Sequence, residues 1–383
     1  MAKVALGMIV KNEAHCIERC LDSVKPLIDC VVVNDNGSTD GTDAKILEWS
    51  NKNGIPAYLL KDKWVSFDVN RSLVLKYCYD TLCIYEEDLM DYVLMIDADE
   101  VLVFEAGLNV EKLKESLTCD LYDIECRLGG STYLRSQLTS NKRKFKYSGV
   151  VHEFIVAEEE IRTRGVVKGV FNMPIQDSAR NKDPKKFEKD AEALVKAFNE
   201  TNDPFLKSRY CFYAAQCFKD SNQPEKAIEW YDRRLSLGFW DEEKYIACLQ
   251  AGRLTPNNKQ DQKFGYFLRA CNYSKGRAEA LGEAMLILKK AELWVGAYCL
   301  GKEALYKQKN TSALFLESAF YDYIIQFEMS IITWYADDKA LGYILTKSLA
   351  QNTKIPQHLR NQAIENLKWY EPSAPTPAMG AGS

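Results

Sequence analysis

"YVLMIDADEVLVF", residues 92–104, poses the question that decides the fold. Tyr92–Ile96 has the apolar character of a buried strand and runs straight into Asp97, Ala98, Asp99 and Glu100, after which apolar residues resume. Alternate side chains on a strand point the same way, so Asp97 and Asp99 can face one cleft at the strand end. Three carboxylates within four positions repel one another unless something positive offsets them. Two hard oxygen ligands on one side suit Mg2+ or Mn2+, which keeps water and substrate phosphates in the rest of its shell. A solvated acidic loop is the competing reading. The buried strand that delivers these acids to a sheet edge weighs against it.

Working outward, "VALGMIV" (4–10), "CVVVNDN" (30–36) and "PAYLL" (56–60) read as further strands. Between them "EAHCIERCLDSVKPL" (13–27), "DAKILEWSNKN" (43–53) and "VNRSLVLKYCYDTL" (69–82) have helical spacing. Alternating strands and helices predict an α/β domain with a mostly parallel sheet covered on both faces. In such sheets site residues gather beyond the carboxyl ends of the strands. The polar clusters fall there: Lys11-Asn12-Glu13, Asn34-Asp35-Asn36 and Asp97-Ala98-Asp99. Shorter β runs from about 118 to 172, including "STYLRSQL" (131–138) and "KFKYSGVVHEFIVA" (144–157), are expected to complete the sheet and one wall of a cleft. "MPIQDSARNKDPKKFEKD" (173–190) reads as a polar linker entering a helix.

After about residue 185 the strand signals stop. Residues 208–238 read as a helix, a turn at Asn222-Gln223-Pro224 and a second helix. Ala215, Phe218, Ala227 and Tyr231 sit where a tetratricopeptide repeat places its small and bulky contacts, and the pattern restarts at Tyr245, 34 residues after Cys211. Residues 277–305 read as a third helix pair. The expected organisation is an α/β domain over 1–175, an all-α repeat domain over 176–371 and a disordered Pro/Ala/Gly-rich tail over 372–383.

Bulk properties exclude several classes. The net charge is 50 − 54 = −4, which argues against general affinity for nucleic acid or acidic membranes. No window approaches the ~18–20 uninterrupted apolar residues of a membrane span. Twelve cysteines include no CxxC pair, so zinc-ribbon and thioredoxin readings fail. The opening residues lack a signal-peptide pattern, so a cytoplasmic protein with reduced thiols is expected, its sequons at Asn36 and Asn310 unused.

"VALGMIVKNEA", "CVVVNDNGSTDGT" and "YVLMIDADE", in this order, resemble the family-two glycosyltransferases with the GT-A fold. Their spacing, about 20 and then about 60 residues, fits a βαβ rhythm. "KFKYSGVVHEF" (144–154) is similar to the His-Glu segment of members that carry a tetratricopeptide-like region, so the resemblance extends over most of the chain. One departure is Asn34, where the family usually has an acid. The resemblance implies a nucleotide-sugar donor, most often a UDP-sugar, Mn2+ or Mg2+, and inversion at the anomeric carbon. It implies that Asp35 accepts from a uracil N–H. Val10, Asn12 and Glu13 would line the base and ribose pocket, with a helix cap as the other reading of Asn12-Glu13. Asp97, with Ala98, would meet ribose or sugar hydroxyls. Asp99 would hold the cation, with His152 as a further ligand.

Glu153 is the candidate base that deprotonates the acceptor hydroxyl, with Glu100, Asp123 and Asp177 also open. Arg71 suits a phosphate, or else a helix-surface salt bridge. Lys142, Arg143, Lys144 and Lys146 read as a solvated basic face, as most such runs are, or else one or two of them as part of a flexible loop that closes over the leaving diphosphate. Ser38 and Asp40 are read as turn residues. The helical domain is expected to bind a glycan or protein acceptor, or to form a homodimer. Two other readings are a haloacid-dehalogenase-like phosphatase, with Asp97 as nucleophile and a second acidic pair at Asp337-Asp338, and a non-catalytic repeat scaffold.

Overall fold

The computed structural model describes residues 1–82, 89–128, 131–311 and 313–370. Cys83, Ser312 of the second sequon and the expected tail at 372–383 lie outside them. The chain forms two compact units that divide between Thr201 and Asn202.

The first unit is built on strands β1 (Val4–Val10), β2 (Cys30–Asp35), β3 (Ala57–Leu60) and β4 (Tyr92–Met95), which pair in parallel in the order β3-β2-β1-β4. β1 and β2 are buried at every position. Their alternate residues feed two cores, which is why their sequences are continuously apolar. On one face Leu6, Met8, Val31 and Val33 pack with helices α1 (Ile17–Val24) and α2 (Thr42–Asn53). On the other, Ala5, Val32, Val93 and Met95 pack with Val74, Leu75 and Cys78 of α3 (Phe67–Leu82). α1 begins later than the periodicity predicts, because residues 13–17 form a turn in which the Glu13 carbonyl accepts from the Cys16 and Ile17 amides.

Beyond β4 the chain turns through 96–99 and leaves for the far edge of the sheet as β5 (Glu100–Phe104). After α4 (Val110–Glu115), β6 (Leu121–Leu128) and β7 (Ser131–Ser140) extend the sheet; β7 runs antiparallel to β4. The ribbon of β8 (Phe145–Ser148) and β9 (Phe154–Ala157) does not join the sheet, contrary to the sequence expectation. It packs on α3 instead, where the Tyr147 amide donates to Ser72 Oγ at 2.9 Å and Phe145 joins the α3-side core. β10 (Arg164–Pro174) lies between β6 and β5 and completes the order β3-β2-β1-β4-β7-β6-β10-β5. The segment after β10 and α5 (Lys186–Glu200) belong to this first unit, so the division falls past the expected 175/176 boundary.

The second unit contains α6 (Pro204–Asp220), α7 (Pro224–Leu235), α8 (Asp241–Leu254), α9 (Gln260–Tyr273), α10 (Glu279–Lys290), α11 (Trp294–Leu305), α12 (Ile325–Tyr335), α13 (Lys339–Gln351) and α14 (Gln357–Tyr370). Ala215, Phe218, Ala227 and Tyr231 are all buried, as repeat packing requires. The period shows in side-chain contacts between residues 34 apart: Tyr245 donates to Glu279 at 3.0 Å and Tyr266 to Asp232 at 2.7 Å. The fold is thus a mostly parallel α/β sheet domain followed in sequence by an all-α region with a tetratricopeptide-like period. Among the described residues no helix is long and apolar enough to cross a membrane.

Gly7 lies where β1 passes between β4 and α3. A Cβ there would collide with Met95 Sδ and stand 3.0 Å from Val74 Cγ1, both in a close-packed core. Gly7→Ala is expected to cost about 1–3 kcal/mol, read as a lowered urea midpoint at unchanged m-value.

Candidate active site

The parallel register brings the ends of β1, β2 and β4 together, with Val10 beside Asp35 and Gly7 beside Met95. The three carboxylates that follow β4 divide by partner. Asp97 Oδ1 accepts from Arg71 Nη2 at 2.5 Å. Glu100 is buried and receives Arg135 Nη2 on both oxygens, at 2.7 and 2.5 Å. Its Oε2 also accepts the Asp97 amide and Asn172 Nδ2, so it pins the turn from below. Asp99 makes no ion pair among the described residues. Its Oδ2 takes two neutral donors, the Ser178 amide at 3.3 Å and Asn181 Nδ2 at 3.0 Å. The sequence reading assigned the relief of repulsion to a bound cation alone. Two arginines, Arg71 buried and Arg135 a third exposed, supply most of it, because the strand end and α3 sit close enough for Arg71 to reach across.

Of the two readings of Arg71, a phosphate ligand or a salt bridge, the structure shows the salt bridge, made in a buried position to protein carboxylates. Besides Asp97, Arg71 has Glu153 Oε1 2.7 Å from Nε, an ion pair in which the N–H is not aimed at the oxygen. It lies 5.5 Å from the centre of the Tyr147 ring. Burial alone would push the Asp97 carboxyl up; Arg71, then Arg135 and Arg180, outweigh it and hold the group below the usual carboxylate range.

The Arg71 contact puts Glu153 and Asp97 on one guanidinium. Glu153 reaches it because the chain bends sharply before β9: Gly149 has φ 108° and His152 φ 55°. Such a left-handed bend is the condition under which consecutive side chains can serve one cleft. His152 is exposed. Asp97, Asp99 and His152 do not converge as a three-ligand set; among the described residues the one His/Cys/Asp/Glu group that close is Glu13, His15 and Cys16. The Cys16 thiol there is pushed up to about 12 by burial and by its hydrogen bond to Glu13, so it stays protonated.

The loops after β1 and β2 are stitched together. Asn12, at φ 60°, donates its amide to Ser38 Oγ at 2.9 Å, and its Oδ1 accepts from Thr39 N at 2.8 Å. The Glu13 and Ala14 amides donate to Thr42 Oγ1 and Asp40 Oδ2. Ser38 and Asp40, read as plain turn residues, therefore tie the loop after β2 to the loop after β1. Asp35 Oδ1 accepts from the Gly37 and Ser38 amides, at 3.0 and 2.8 Å. Asn34, the departure noted above, is fully buried and ties this loop to Asp62 beyond β3. Glu13 does not cap α1 with its side chain; burial, with the Asp99 charge adding to it, pushes its carboxyl up. Val10 and Ala98 are core residues, so each can offer a ligand only its backbone.

Other candidates are committed elsewhere. Asp123 pairs with Arg164, Asp177 with Arg19 and Glu100 with Arg135; Glu153, itself paired with Arg71, is the one that shares a guanidinium with Asp97. Lys142 and Arg143 pair with Asp91 and Asp120, before β4 and β6 and so at the opposite end of the sheet from Asp97. They cannot cover a diphosphate at Asp97 from there. Asp338 caps α13 and accepts from Tyr298, so the Asp337-Asp338 pair is a helix start and not part of a phosphatase site. Sequence reasoning missed Arg135, Asn172 and Asn181. For Arg135 a signal existed: a strand reading "RSQLTS" between apolar strands places Arg135, Gln137 and Thr139 on one face, two of them wholly buried.

Residues 6–123 match the family model described as glycosyl transferase family 2. A TPR repeat-containing protein of Synechococcus elongatus is 31% identical over 40% of this chain and 36% of its own length. An uncharacterized glycosyltransferase of Rickettsia felis is 34% identical over 32% of this chain and 38% of its own. The chain thus spans little more than a third of the curated relatives it matches. A structure of S. aureus TarS 1–349 in complex with UDP aligns over 96% of this chain and 90% of that one, at 12% identity and a TM-score of 0.28, too low a likeness to argue from.

Because the Asp97 carboxyl is depressed, its pairing contributes stability above the unfolded value of about 3.9 and loses it as pH falls through the lower folded value. Arg71→Ala leaves two carboxylates facing each other. It is expected to cost about 3 kcal/mol at pH 7, the low end for a buried pair because Asp97 stays a third exposed. The deficit should shrink below about pH 4 as Asp97 protonates, which urea titrations at pH 7 and pH 3.5 would read.

Proposed function

Taking residues 6–123 as a family-two glycosyltransferase domain, we propose that the protein transfers a sugar from a nucleotide-sugar, a UDP-sugar by preference, to an acceptor hydroxyl with inversion. The observation that carries this reading is the sorting of charge at 97–100. Asp97 and Glu100 are neutralised by Arg71 and Arg135, and Asp99 alone is left with neutral donors. A half-buried carboxylate with one oxygen that has no hydrogen bond among the described residues fits a single-carboxylate contact to Mn2+ or Mg2+, which typically takes one or two carboxylates plus phosphate oxygens. Asp99 would hold the cation, with His152 swinging in from its exposed bend. Bound there, it would supply positive charge to the diphosphate as the sugar–phosphate bond breaks.

The remaining steps belong to the chain's own residues. Asp35 would accept from the base, its loop pre-formed by the Gly37 and Ser38 amides. Asn12 and Glu13 would line the nucleoside pocket beside it. Asp97, fixed by Arg71, would accept from donor hydroxyls. Glu153 would take the proton of the acceptor hydroxyl as its oxygen bonds to the anomeric carbon and the nucleoside diphosphate departs. The tetratricopeptide-like unit would recruit a glycan or protein acceptor.

The test is release of nucleoside diphosphate from a panel of nucleotide-sugars, each with and without Mn2+. Mn2+-dependent release from a UDP-sugar is expected. Asp99→Ala should lower it at least about a hundredfold without loss of secondary structure by circular dichroism. Glu153→Gln should lower turnover while leaving UDP–Mn2+ binding within about twofold. Full activity in Asp99→Ala would remove the cation assignment.

A further inference from the structure

The segment Gln176–Asp183 reads from sequence as a linker, yet it lies against the carboxylate cluster. Asp177 forms a two-pronged pair with Arg19 of α1, at 2.8 and 2.7 Å, and its carbonyl accepts from His15 Nε2 at 2.8 Å. Arg180 pairs with Asp190 of α5 and stacks on Phe67 of α3 at 4.3 Å. Between these anchors, the Ser178 amide and Asn181 Nδ2 both donate to Asp99 Oδ2. All of these strap residues lie outside the matched segment 6–123.

The orientation of the Asn181 amide is fixed by charge. Lys186 Nζ, on α5, donates to Asn181 Oδ1 at 2.6 Å. An ammonium on one side and a carboxylate on the other permit one amide orientation only, oxygen toward Lys186 and NH2 toward Asp99. With two donors, Oδ2 has both of its lone-pair positions filled. Oδ1 has no hydrogen bond in the described structure, so the carboxylate is held against rotation by one oxygen with the other left open.

We propose that Asn181, set by Lys186, is a positioning residue for the cation site: it fixes the Asp99 carboxylate so that Oδ1 alone faces the divalent ion. This rests on the glycosyltransferase reading above. Hydrogen-bonded partners of ligating carboxylates commonly control metal affinity by 10–100-fold, because they remove rotational freedom that the ion would otherwise have to freeze. The side-chain amide of Asn181 is spent on Asp99 and Lys186. Its loss therefore acts on metal occupancy and leaves saturated chemistry nearly unchanged.

The experiment is a Mn2+ titration of the full chain in the presence of UDP, followed by electron paramagnetic resonance of free Mn2+, with no turnover required. Asn181→Ala is expected to weaken Mn2+ binding about tenfold, and Lys186→Met less so in the same direction. In assays the Asn181→Ala defect should fall on the Mn2+ concentration for half-maximal rate, with kcat recovered at saturating Mn2+. A second route guards against local misfolding: Arg19→Glu, which frees Asp177 and loosens the strap, should weaken Mn2+ binding, and Arg19→Glu/Asp177→Arg should restore it. Wild-type affinity in Asn181→Ala, measured alongside a wild type that binds Mn2+, would overturn this inference and leave the functional reading standing. A wild type that takes up no Mn2+ with UDP would overturn both.

Discussion

A single buried guanidinium organises the first unit's polar end. Arg71 projects from α3 between the strand end that carries Asp97 and the bend that carries Glu153, and both carboxylates meet it. Removing a cation and two anions from bulk water costs several kcal/mol per ion, which is recovered only when geometry and further hydrogen bonds are good. The fold provides those conditions. β4 and α3 pack through Val74, Val93 and Met95, the ribbon of β8 and β9 lies against α3, and Tyr147 stands beside the arginine. Three chain segments far apart in sequence are thereby locked to one point.

That constraint sorts otherwise similar acids. Glu100 is wholly structural: it is buried, receives Arg135 on both oxygens and holds the Asp97 amide. Asp97 is fixed by Arg71 and a third exposed, suited to accept hydrogen bonds from a polyol. Asp99 is held, among the described residues, by two neutral donors, Ser178 and Asn181. Carboxylates within four residues thus acquire separate tasks through their partners rather than through their own chemistry.

Much of this was legible in the chain. Continuous apolar runs ending in polar clusters gave the parallel strands and the edge where the clusters meet, because burial on both faces demands such runs. The tetratricopeptide-like contacts at Ala215, Phe218, Ala227 and Tyr231 were legible for the same reason: each must be small or bulky to pack. What escaped was long-range pairing of charge. Nothing local to "FDVNRS" tells whether Arg71 meets a phosphate or a carboxylate, and nothing local to "DSARNKD" says that Asn181 folds back onto Asp99. Such partners depend on where loops return in space, which hydropathy and periodicity do not encode. The ribbon of β8 and β9 was misplaced for a related reason: its alternation fits a sheet edge as well as a helix surface.

The central claim is that Asp99, and not Asp97 or Glu100, is the carboxylate available to a divalent ion. Anomalous scattering from Mn2+ in crystals grown with UDP measures this directly. The account expects one Mn2+ peak at ligand distance from Asp99, with the Arg71–Asp97 and Arg135–Glu100 pairs intact. A Mn2+ held jointly by Asp97 and Glu100 with either arginine displaced, or a UDP complex whose Mn2+ does not touch Asp99, would contradict it.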